Sequence, residues 1–133
     1  MTYAVAYLST AIVFFGLDFL WLGRVATGFY RSQLGDLMRE RPDLVAAGLF
    51  YLVYVAGIVY FAVSPALAGG GLRQAALSGA ILGLIAYGTY DITNLATLRN
   101  WPLAMSLVDL AWGTLLTATA ATAGAWLTQK ILG

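Results

Sequence analysis

Asp18, Asp91 and Asp109 lie inside stretches that are otherwise hydrophobic enough to span a membrane. An aspartate at the centre of a membrane helix costs roughly 2.5 to 3.5 kcal/mol on an insertion scale, so three cost on the order of 8 to 10 kcal/mol. Residues that expensive usually face a cavity, a partner or a pathway. They are the catalytic candidates of this chain, and three chemistries suit them. A carboxyl in low dielectric can trade a proton for a cationic substrate. A neutral carboxyl beside an ionised one makes an acid–base pair. Together with Asn94 they offer hard oxygen ligands to a Mg²⁺-like ion, but their spacing matches no metal motif and no metal is predicted.

The composition identifies the solvent. Of 133 residues, 61% are hydrophobic and only 10% charged, with a mean hydropathy of +0.82. That lies outside the soluble globular range and makes the lipid bilayer the main partner. Net charge is +1, which gives no basic surface for nucleic acid. The chain has no Cys and no His. Disulfides, thiolate chemistry, haem and Ser–His–Asp catalysis are thereby excluded or improbable. No cofactor is predicted.

Runs of about 20 apolar residues predict an all-α integral membrane protein with four transmembrane helices in one bundle, over 3–23, 44–63, 74–98 and 102–127. Arg41-Pro42-Asp43, Ser64-Pro65, Gly69-Gly70-Gly71 and Asn100-Trp101-Pro102 supply the breaks between them. The first run lacks a basic leader region and reads as a retained span. Between the first two spans, Tyr30, Leu34, Leu37, Met38 and Arg41 recur at helical spacing. They predict a short amphipathic helix over 27–41 lying at the headgroups. Arg24, Arg31, Arg39, Arg41 and Arg99 fall on one side of these spans, with Arg73 and Lys130 on the other. That bias predicts cytoplasmic first and third loops, with both termini outside.

These elements place the acidic residues at one depth. At 1.5 Å per residue, Asp18 lies about 8 Å before the end of its span. Asp91 lies about 12 Å before Arg99, and Asp109 about 10 to 12 Å after Pro102. Tyr51 and Tyr54 reach a similar level on the second span. Tyr87, Asp91 and Asn94 share one helix face, and Tyr90 begins the neighbouring one. The pair Asp-x-x-Trp occurs twice, as Asp18 with Trp21 and Asp109 with Trp112, on helices of opposite direction. Two similar walls of one polar pocket are expected, in the cytoplasmic half. Gly79-x-x-x-Gly83 and Ala120-x-x-x-Gly124 predict close helix packing in the outer half.

The run Tyr87-Gly88-Thr89-Tyr90-Asp91-Ile92-Thr93-Asn94, continuing to Pro102 and followed by Asp109-Leu110-Ala111-Trp112-Gly113, is distinctive. With Asp18-Phe19-Leu20-Trp21, it resembles an uncharacterised family of small four-helix bacterial inner-membrane proteins, known only as a domain of unknown function. The resemblance extends over essentially the whole chain. It implies a four-span fold in a bacterial inner membrane and carries over no substrate or catalytic residue.

The residues therefore support a binding or transport protein for a hydrophobic or cationic small molecule, with proton coupling. Trp21, Trp112 and the tyrosines would supply cation–π surface, and a homodimer is expected if four short helices are to enclose a path. The alternatives are a membrane-embedded enzyme modifying a lipid or isoprenoid by Asp-based acid–base chemistry, and an accessory subunit of a larger membrane complex.

Overall fold

The computed structural model describes residues 1–133 and is entirely helical. Helix α1, Thr2–Leu20, continues through a wide π-helical turn at Trp21–Ala26 into α2, Thr27–Leu34, and ends in a tight turn at Gly35–Leu37. Helix α3, Leu44–Ile58, starts on an Asp43 cap whose carboxylate accepts the Ala46 N–H at 3.0 Å. It runs on through π-helical turns at Val59–Val63 and Ala66–Gly70 into α4, Gly71–Thr97. Helix α5, Leu103–Leu132, starts after the turn in which Asn100 adopts φ 60°.

Three helical runs are long and apolar enough to cross a membrane, namely Thr2–Leu37, Leu44–Thr97 and Leu103–Leu132. Four separate ones were expected. The second run has 54 residues because Pro65 sits in helical geometry (φ −61°, ψ −34°) and does not stop the chain. The break comes later, where Gly69 (φ 127°) and Gly71 (φ 77°) take backbone angles that side chains disfavour. Beyond it, α4 packs back against Val59–Val63. The segment read as a separate interfacial helix is instead a helical continuation of α1, and only Met38–Asp43 is irregular. Of the apolar face read there, Tyr30 turns inward and is buried with Leu34 and Met38 packed around its cluster, while Leu37 stays exposed.

Lipid offers no hydrogen bonds, so the backbone must satisfy itself. Of 104 backbone hydrogen bonds, 99 lie within the helices. Thr89, Thr93, Thr97, Thr114, Thr122 and Thr128 each donate to the carbonyl four residues earlier, which removes their hydroxyls from competition. Outward faces carry large apolar side chains such as Ile12, Phe19, Val45 and Ile85.

The closest packing is between α4 and α5. A Cβ on Gly79 would stand 2.9 Å from the Thr117 carbonyl and 3.0 Å from the Ala121 methyl. One on Gly83 would meet the Gly113 carbonyl and the Thr117 side chain, and one on Gly113 would enter the Tyr87 ring. The antiparallel register thus advances four residues at a time, from Gly79 with Ala121, through Gly83 with Thr117, to Tyr87 with Gly113. Small residues let the two backbones approach this closely. Phe14, Ile58, Leu116 and Val55 fill the core beside this seam.

Candidate functional site

Helix α3 packs on α1, and α4 packs on α5, while α3 and α4 barely approach one another. The gap between them is a cavity of about 430 Å³. Ten of its twelve lining residues are hydrophobic, and the other two are Asp18 and Asp109. Phe14 closes its inner end, meeting Tyr51 and Tyr54 edge-on at centroid distances of 5.3 and 5.5 Å. The Tyr54 hydroxyl is held by Thr117 at 2.8 Å. Phe50 and Tyr90, 62% and 55% exposed, stand at the rim, so the cavity opens sideways between α3 and α4.

The two Asp-x-x-Trp pairs meet here, and they exchange partners. Trp21 and Trp112 stack with centroids 4.4 Å apart and planes within 9°. Trp112, from the helix of Asp109, donates its indole N–H to Asp18 Oδ1 at 3.2 Å. Trp21, from the helix of Asp18, donates to the Tyr30 hydroxyl at 3.0 Å, and that hydroxyl donates to Asp109 Oδ1 at 2.8 Å. Each carboxylate is thus steadied by an indole from the opposite helix, one directly and one through Tyr30. An i, i+3 pair lies along one helix side, so each tryptophan leans across to the neighbour while its aspartate faces the gap.

Of the ten residues singled out from the sequence, eight line this cavity: Asp18, Trp21, Tyr51, Tyr54, Tyr87, Tyr90, Asp109 and Trp112. Asp91 does not. It is fully buried, and neither carboxylate oxygen has a hydrogen-bond partner. Asn94 lies nearly one turn further along α4, half-buried and away from the lining. No three acidic residues gather closely enough to hold a metal ion. Of the four oxygen-bearing residues Asp18, Asp91, Asp109 and Asn94, only Asp18 and Asp109 line the cavity.

Four lining residues escaped the sequence reading: Leu22, Tyr30, Phe50 and Ala86. Tyr30 is the important one, because it bridges Trp21 and Asp109. Its only signal was its place on the apolar face of a segment otherwise rich in charge. Phe50, one residue before Tyr51, looks like any lipid-facing aromatic.

No curated protein and no solved structure matches the chain. A family model described as a predicted membrane protein (DUF2177) matches residues 3–126. That match takes in every residue of the cavity, and the chain belongs to this family of membrane proteins of unknown function.

Proposed function

We propose that this protein binds a lipophilic cation in a one-sided cavity of the membrane, in exchange for a proton. The observation that carries the reading is the cavity's lining, in which two carboxylates face a stacked indole pair and a ring of tyrosines. Aromatic faces attract cations by their quadrupole, an effect worth about 2 kcal/mol when the site is desolvated. Carboxylates in the same wall add a full countercharge. A volume of about 430 Å³ is ample for a small organic cation. The small-residue seam of α4 and α5 and the Phe14 core lie beyond its inner end, so access is sideways.

A second reading, acid–base chemistry on a lipid-like substrate, draws on the same lateral opening. An enzyme of that kind needs its carboxyls at the depth where a lipid enters, which is what an opening between α3 and α4 would provide.

The topology underlying both readings has four passes, with the cavity in the cytoplasmic half of a bacterial inner membrane. A straight helix of 54 residues would be about 80 Å long against a hydrocarbon core of about 30 Å. The Gly69–Gly71 break and the return of α4 onto Val59–Val63 support a hairpin of two passes instead. The run Thr2–Leu37, about 54 Å if straight, carries α2 into the cytoplasmic headgroups. Because the chain has no cysteine, single-cysteine labelling reads this directly. An impermeant maleimide applied to intact cells should modify Gln129→Cys and spare Asp36→Cys. The opposite pattern would invert the topology.

Cation binding is tested by tryptophan fluorescence in nanodiscs, with tetraphenylphosphonium as the probe. Titration should change the emission of the Trp21–Trp112 stack to saturation. Asp109→Asn should weaken the affinity by roughly tenfold or more, equivalent to about 1.4 kcal/mol. An unchanged affinity in both Asp109→Asn and Asp18→Asn would remove the cation-binding reading.

A further inference from the structure

Asp91 is the one buried ionisable group that the cavity does not use. It is fully buried, and both oxygens lack a donor. An isolated carboxylate in that position is among the costliest arrangements a protein can hold. No basic side chain balances it, since all seven Lys and Arg residues are exposed and the single ion pair joins Arg39 to Asp43. Something other than a protein cation must supply the missing donor.

The register of α4 and α5 shows where it comes from. The seam places Gly79 against Ala121, Gly83 against Thr117 and Tyr87 against Gly113. One further four-residue step sets Asp91 opposite Asp109, and Asp109 is indeed its acidic neighbour. Asp109 faces the cavity and accepts the Tyr30 hydroxyl on Oδ1. The other titratable groups facing the pair are Asp18 from α1, Tyr30 from α2, Tyr51 from α3, and Tyr87 and Tyr90 from α4 itself. None of them is basic.

We propose that Asp91 and Asp109 form a proton-binding site, holding one exchangeable proton between their facing carboxyl groups. The proton gives the buried pair the O–H donor it otherwise lacks, and it leaves one negative charge where two at close range would repel. Asp109 is then the boundary between the cavity and this store. A cation seated beside Asp109 favours the fully ionised pair, so its arrival expels the proton. This consequence deepens the cation-binding reading and rests on it. The proton site itself does not require any ligand.

Infrared difference spectroscopy on the empty protein in nanodiscs near neutral pH separates the two. Wild type should show a protonated-carboxyl C=O band that shifts in D₂O. Asp91→Asn should abolish that band, Asp109→Asn should shift it because the proton loses its second carboxyl, and Asp18→Asn should leave it in place. Asparagine is a neutral near-isostere, and if Asp91→Asn does not fold, Asp109→Asn breaks the pair equally well. Absence of the band from wild type would overturn the proposal. So would a band that neither pair variant alters and that disappears in Asp18→Asn. Either result would leave the fluorescence titration, and the cavity reading, standing on their own.

Discussion

Gly83→Leu is expected to abolish the folded state. A Cβ at this position would lie against the Gly113 carbonyl oxygen and the Thr117 side chain, closer than real atoms approach. Overpacking ordinarily costs about 1–3 kcal/mol because neighbouring side chains move aside. Here the obstacle includes backbone in the middle of α5, a 30-residue helix that cannot yield at one point without shifting along its length. The α4–α5 seam would open from Gly79 to Asp91, and the cavity wall with it. Size-exclusion profiles and thermal melts in detergent should show aggregated or unfolded protein. Gly16→Leu is the control, since nothing lies within 4 Å of a Cβ there. If Gly83→Leu melts like Gly16→Leu, the close seam is not what holds these helices together.

Trp112→Ala should cost about 3 kcal/mol of stability, the lower end of the range for removing a large aromatic, because the ring is only half-buried. Two losses combine. The indole stack on Trp21 disappears, worth about 0.5–1.5 kcal/mol beyond its area. Asp18, 5% exposed, loses the indole N–H that reaches Oδ1. Trp112→Phe separates these effects, since it retains a ring to stack and removes only the donor. An unsatisfied buried acceptor costs about 1–3 kcal/mol, so the Phe variant should fall between wild type and Ala. If Phe proves as stable as wild type, the indole–carboxylate contact contributes nothing and Trp112 acts through packing alone. The same two variants titrated with tetraphenylphosphonium report whether the stack is also the binding surface.

Much of the site was legible because membrane insertion is so selective. An Asp among apolar residues stands out by its cost alone, and helical rise then gives its depth without any tertiary information. Spacing alone puts Asp18, Asp109, Trp21, Trp112 and the tyrosines at one level. Helix boundaries are less legible in the residues. Pro65 reads as a break but fits helical geometry, and the amphipathic stretch over 27–41 reads as a separate helix but continues α1 as far as Leu37. Both errors come from judging by local propensity where a continuous backbone in or near lipid still has to satisfy its own hydrogen bonds.

Composition and spacing by themselves determined the solvent, the helical class, the level of the acidic layer and the absence of thiol or imidazole chemistry. These follow from transfer energies and from the fixed rise of a helix, which are properties of single segments. Only the tertiary structure decided which acids stand opposite one another and which face the cavity. Asp91 and Asp109 oppose each other because glycines at 79, 83 and 113 set the register of two helices. The exchange of tryptophans between Asp18 and Asp109, and the inward turn of Tyr30, depend likewise on how helices sit side by side. Rotation and register between helices are properties of pairs of surfaces, and no single segment carries them.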